Sequence, residues 1–220
     1  LEHFASRKAM DIEGMGEAAV SQLVRLKLVN NFSDIYKLRE EDLLKLDLFK
    51  EKKVKNLLAA IQKSKDRPLS RLIYALGIRH IGEKSAFVLA KHFKTMANLL
   101  AAKKETLRNI YEVGPVIAES ITDYFSQAAT KKLIEDFKEA GFNLKESLSE
   151  AKANSFSGKR IVFTGGLRGY SRLEAEELVR RLGGNSSSEV SKGTDFVVTG
   201  ENPGSKYDKA KELGVRIIDE

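Results

Sequence analysis

Four short turns recur along the first two thirds of this 220-residue chain, and their spacing leaves few ways to fold it. Gly14-Met15-Gly16-Glu17, Leu48-Phe49-Lys50-Glu51, His80-Ile81-Gly82-Glu83 and Glu112-Val113-Gly114-Pro115 place their apolar second residues 34, 32 and 32 positions apart. A period of this size marks one supersecondary unit used repeatedly. Each turn precedes an apolar stripe near helical spacing: Val20, Leu23 and Val24; Val54, Leu57, Leu58 and Ile61; Ala86, Leu89, Ala90 and Phe93; Ile117, Ile121, Tyr124 and Phe125. Pro115 suits the first turn of a helix, where its missing N–H costs nothing, and Glu17, Glu51 and Glu83 suit the positive end of a helix dipole. A longer repeat overlies the short one, with Glu41–Leu46 corresponding to Glu105–Ile110 at an offset of 64. The four units therefore read as two pairs in an all-α array.

Beyond a helix expected over 131–140 and a stop at Gly141, residues 147–157 are small and polar, as a linker requires. The periodicity then changes. Ile161-Val162-Phe163 reads as a buried strand, 171–182 as a helix ended by Gly183-Gly184, Phe196-Val197-Val198 as a second strand, 206–213 as a helix and 215–218 as a last strand. Alternating strands and helices imply a small parallel sheet. The expected organisation is multidomain: a tandem helical array over 1–146, a linker over 147–157 and an α/β domain with a four-stranded parallel sheet over 158–220.

Composition narrows the chemistry. The chain has no cysteine, which removes disulfides and thiolate zinc sites, and its three histidines (His3, His80, His92) are too scattered to hold a metal. No apolar run approaches the roughly 20 residues needed to cross a bilayer, and no signal segment opens the sequence, so a cytoplasmic, membrane-free protein is expected. The net charge of +7 is unevenly placed: residues 51–100 hold eleven Lys/Arg against Glu51, Asp66 and Glu83. Such an excess attracts polyanions by counterion release, although a solvated basic helix face has the same composition.

A tight apolar-Gly turn at a helix start leaves several backbone N–H groups pointing outward, forming a concave site for a phosphate. Glycine accepts positive φ and has no side chain to hold a phosphodiester away from the amides. Such contacts read the DNA backbone rather than its bases. Taken singly, each turn is equally well an ordinary helix–helix connection; four in register favour the phosphate reading. The candidate DNA-binding residues are Gly14, Gly16, Lys50, Arg79, Gly82, Lys84 and Gly114. Lys50 stands where a glycine is expected and offers charge in place of an open amide. Glu112 is expected to repel phosphate unless it turns away. His80 and His92 lack any partner carboxylate or nucleophile pattern and are assigned no catalysis.

The four turns resemble the helix-hairpin-helix motif. Together with Arg7–Gly16 and Leu72–Arg79, they resemble the corresponding domain of bacterial NAD-dependent DNA ligases over roughly residues 3–145. Phe156-Ser157-Gly158-Lys159, Ile161–Gly165, Gly183-Gly184, Lys192–Val198 and Gly204–Ala210 resemble a BRCT domain whose final helix is not reached. The BRCT resemblance implies a possible phosphate pocket at Thr164, Gly165 and Lys206, against the alternative that these residues only close a turn and decorate the surface. The ligase resemblance implies nick sealing in replication and repair through lysine adenylation by NAD, with magnesium and zinc. No Lys-x-Asp-Gly tetrad occurs here, so those cofactors are expected in other parts of a parent enzyme and none in this chain, which is expected to be inactive alone. Nicked duplex DNA is the expected partner, with replication or repair proteins through the BRCT domain and a monomeric state. The alternatives are a non-catalytic DNA-junction or nuclease-accessory protein, and a BRCT phosphopeptide adaptor.

Overall fold

The computed structural model describes residues 1–146 and 156–220, which belong to two compact units, Leu1–Ser147 and Leu148–Glu220. The expected linker lies outside the described residues except for its last two positions.

The first unit is helical: α1 (Glu2–Ala5), α2 (Glu17–Arg25), a 3-10 helix (Phe32–Lys37), α3 (Glu40–Leu43), α4 (Glu51–Ser64), α5 (Leu69–Ala75), α6 (Glu83–Phe93), α7 (Met96–Leu100), α8 (Lys104–Arg108), α9 (Pro115–Ser126) and α10 (Ala128–Glu139). The helices after the four turns, α2, α4, α6 and α9, are with α10 the long ones. Glu17, Glu51, Glu83 and Pro115 are their first residues, as the dipole and proline arguments require. Helix α10 begins three residues earlier than expected, because Gln127 leaves the helical region and restarts it.

The repeat is a repeat of burial. The residues three before each turn's apolar position (Ile12, Leu46, Ile78, Ile110), the apolar positions themselves (Met15, Phe49, Ile81, Val113), and the helix positions five and eight later (Val20 and Leu23, Val54 and Leu57, Ala86 and Leu89, Ala118 and Ile121) are all buried in one continuous core. Removing this much apolar surface from water at roughly 25 cal/mol per Å² is what holds short helices that are marginal alone.

Both ends of the unit meet in an aromatic cluster. Phe4 of α1 stacks on Phe32 with ring centroids 4.6 Å apart and on Phe137 of α10 at 5.9 Å; Phe137 stacks on Phe142 at 4.3 Å, and Tyr36 meets Phe142 edge-on at 4.5 Å. The Tyr36 hydroxyl is paired with the buried Ser64 hydroxyl at 2.9 Å. Burial holds the phenol pKa well above the ordinary tyrosine value, so it stays protonated.

In the second unit β1 (Arg160–Thr164), α11 (Arg172–Arg181), β2 (Asn185–Ser187), β3 (Phe196–Thr199), α12 (Ser205–Glu212) and β4 (Arg216–Asp219) build an all-parallel sheet of order β2-β1-β3-β4. Strand alternation sends Ile161, Phe163 and Val198 to one side, where Ala175 and Val179 of α11 cover them. Val162 and Val197 go to the other, against Ala210 of α12 and Val190. Both faces are buried, which is why the strands read as continuous apolar runs. The short polar strand β2 carries no such run and was not expected from its residues. Ser171 caps α11 reciprocally with Glu174, the sequence signature of a capping box, and Gly183 follows it at φ +79°.

Candidate nucleic-acid interface

All four turns have one backbone geometry despite their different sequences. A hydrogen bond closes each from the apolar position to the residue three before it: Met15 to Ile12 (3.1 Å), Phe49 to Leu46 (3.2 Å), Ile81 to Ile78 (3.0 Å) and Val113 to Ile110 (2.9 Å). The residue before each apolar position is left-handed: Gly14 at φ +89°, Leu48 at +65°, His80 at +67° and Glu112 at +71°. The residue after it, Gly16, Lys50, Gly82 or Gly114, is the extended N-cap of the next helix, and its carbonyl accepts the first helical bond.

This corrects the expected role of glycine. The left-handed position is the first of each turn, and only Gly14 answers it with glycine; Leu48, His80 and Glu112 each bear roughly 1–2 kcal/mol of left-handed strain. Leu48 is 89% exposed and packs on little, so Leu48→Gly is expected to raise stability by about 0.5–1 kcal/mol. Chemical denaturation checks this, and an unchanged or lower midpoint would count against it.

The glycines at the cap need another explanation. Gly16, Gly82 and Gly114 have ordinary negative φ, and a methyl group placed on any of them would meet no heavy atom within 4 Å. All three are exposed, and none of the four caps is satisfied by its own side chain. The first turns of these helices thus lack a side-chain cap, and at Gly16, Gly82 and Gly114 neither backbone conformation nor packing excludes a side chain. An approaching anion is the group this arrangement accommodates.

Basic residues divide into available and spent. Arg79 is exposed beside the third turn, and Lys50 is exposed at the second N-cap. Lys84 is 78% exposed but is paired with Glu112 at 2.5 Å. This hydrogen bond, then the charge of the carboxylate, hold the lysine pKa above its ordinary value. Glu112 is thereby given a partner, and Lys84, expected as a phosphate contact, here bridges the third and fourth turns. Two other cations in the basic stretch serve the fold: Arg67 pairs with Asp11 at 2.5 Å, and the buried Arg71 donates to the carbonyls of Arg7 and Lys8. Charge counting cannot separate such cations from surface ones.

In the second unit Thr164, Gly165 and the start of α12 lie at one corner. Thr164 is 3% exposed, and its hydroxyl oxygen accepts the Gly204 N–H at 3.3 Å. Gly165 sits at φ +79°, and a Cβ there would lie 2.6 Å from the Glu201 carbonyl oxygen, because the Gly166 and Glu201 backbones bond reciprocally at 2.8 and 2.7 Å. Lys206 is half-buried as the second residue of α12. Thr164 and Gly165 thus have defined structural work, and Gly165→Ala is expected to destabilise this unit by about 2–4 kcal/mol, read from its thermal transition. The Glu220 carboxylate occupies the Arg168 and Gly169 amides, at 2.5 and 2.8 Å, and those bonds hold its pKa below the usual carboxylate value.

Residues 71–134 match the family model described as the helix-hairpin-helix motif, and residues 152–220 match that of the BRCA1 C Terminus (BRCT) domain. Fold and turns together define a helix-hairpin-helix protein with a BRCT domain. The chain is 51% identical over all of its length to a DNA ligase of Pelotomaculum thermopropionicum, 47% identical over 99% of its length to one of Thermoanaerobacter pseudethanolicus, and 48% identical over 99% to one of Carboxydothermus hydrogenoformans. It belongs to the DNA ligase family as the helix-hairpin-helix and BRCT portion, spanning about a third of the length of these relatives, 32%, 33% and 33% respectively. Among the described residues no helix is long and apolar enough to cross a membrane.

Proposed function

We propose that this chain grips duplex DNA through backbone amides of its helix-hairpin-helix turns and so positions nicked duplex for a DNA ligase that joins a 5′-phosphate to a 3′-hydroxyl at the expense of NAD. The observation that carries this reading is the set of exposed cap glycines, Gly16, Gly82 and Gly114, which neither backbone conformation nor internal packing requires. Amides bind phosphate oxygens irrespective of base, so the grip is independent of sequence. The contribution to catalysis is orientation of the nick against a reactive centre elsewhere in the parent enzyme. Adenylation, with NAD, a divalent cation and the zinc module, is assigned to segments other than this one. The BRCT unit is assigned to partners in replication and repair, and the chain acts as a cytoplasmic monomer.

Fluorescence anisotropy with a nicked duplex across a salt series tests the grip. The lysine and arginine side chains beside the turns give a negative log–log slope, about 0.9 for each phosphate they neutralise, equal for unrelated sequences. Salt-independent binding, a strong sequence preference, or no binding would each overturn the reading. If phosphopeptide is bound in place of duplex, and Lys206→Ala abolishes it, the adaptor function replaces this one.

A further inference from the structure

The four turns share a backbone but not the residue that stands immediately before the left-handed position. That residue is Glu13, Asp47, Arg79 and Tyr111 in the four turns, and all four are exposed. In this register the first pair of turns presents two carboxylates beside its bare amides, Asp47 being paired with Arg25 at 3.5 Å. The second pair presents a guanidinium and a phenol. A carboxylate at this position repels a phosphodiester held on the neighbouring amides, a guanidinium attracts it, and a phenol offers a flat apolar face with a polar tip.

The fourth turn is unusual in a second respect. Pro115 removes one of its first-turn N–H donors, while Tyr111 and Val116 on either side of Gly114 are 85% and 60% exposed. Its acidic residue, Glu112, is already answered by Lys84. The turn has fewer amides for an anion, a cancelled charge, and two bare apolar side chains flanking its cap.

Resting on the reading of the chain as a duplex-gripping module, we infer that the third and fourth turns are the pair that engages DNA most strongly. Arg79 neutralises a backbone phosphate, and Tyr111 with Val116 packs on the deoxyribose face beside the phosphate held at Gly114. The first and second turns make the weaker contacts, at Gly16 and Lys50, because the carboxylates of Glu13 and Asp47 stand beside them. The deoxyribose ring is the apolar part of the DNA backbone that lies next to every phosphate, so this contact adds affinity that neither salt nor base sequence changes.

The test is anisotropy of the full 220-residue chain with a labelled nicked duplex across a potassium chloride series, with thermal melting of each variant as a control for folding. Tyr111→Ala is expected to weaken binding about tenfold at every salt concentration without changing the slope, and Tyr111→Phe to stay within about twofold of the unaltered chain. Arg79→Ala is expected to weaken binding and make the slope shallower by about 0.9. The double replacement Glu13→Ala with Asp47→Ala is expected to leave affinity within about twofold. Full affinity in both Tyr111→Ala and Arg79→Ala, with the unaltered chain still binding, would overturn this inference alone. So would an increase of more than about fivefold on removing the two carboxylates, which would make the first pair the stronger contact. Failure of the unaltered chain to bind would overturn the duplex-gripping reading and this inference with it.

Discussion

Replacing Gly82 and Gly114 together with aspartate is expected to lower duplex affinity by about a hundredfold or more while leaving the protein as stable as before or slightly more so. Aspartate is a better N-cap than glycine by a few tenths of a kcal/mol, and its charge favours the positive helix end by about 0.3–1 kcal/mol. Both glycines have the extended cap conformation that aspartate adopts, with open space for its Cβ; the Pro115 that follows Gly114 restricts it to this same region. The new carboxylates would satisfy the first-turn amides from within, and so occupy and repel the site of the phosphate. Stability and binding then move in opposite directions, which a merely structural glycine does not do. Anisotropy and thermal melting of the same sample read the two effects. A parallel fall in melting temperature and affinity would show that the glycines serve the fold, and unchanged affinity would show that the amides are not the contact.

The largest loss of stability is expected at Phe137→Ala. Phe137 is fully buried and stacks with Phe4 and Phe142 where the first and last helices of the array meet. Truncation of a buried phenylalanine costs about 3–5 kcal/mol through lost transfer energy and the cavity left behind. In a unit of this size that lowers the melting temperature by about 10 °C or more. Calorimetry should show the transition of the helical unit displaced and that of the α/β unit unmoved. A cost below about 1 kcal/mol would mean that the ends of the array are not held through this cluster.

Much of the architecture was legible in the sequence because it rests on local, periodic signals. The apolar residues at the third, fifth and eighth positions around each turn, Glu and Pro at helix starts, and the Ser171/Glu174 capping pair all act within one or two turns of chain. Four strands were expected, but the place of β2 was not legible because Asn185-Ser186-Ser187 is polar and pairs only through backbone at a sheet edge. The candidate site was half legible. Motif glycines could be named, but their two meanings could not be separated, since positive φ and external approach both select glycine and only backbone angles distinguish them. Residue type also concealed the pairing of Lys84 with Glu112, 28 positions apart, and the burial of Arg71 on the carbonyls of Arg7 and Lys8.

By itself the sequence determined that this chain is a four-fold helical repeat followed by a small parallel α/β unit, because period and burial are properties of neighbouring residues. Tertiary structure alone decided which cations remain free, which glycines are spared by the fold, and how Phe4 meets Phe137 across the length of the array. Those facts depend on side chains far apart in sequence and close in space, where desolvation and steric contact, which no local pattern encodes, set the outcome.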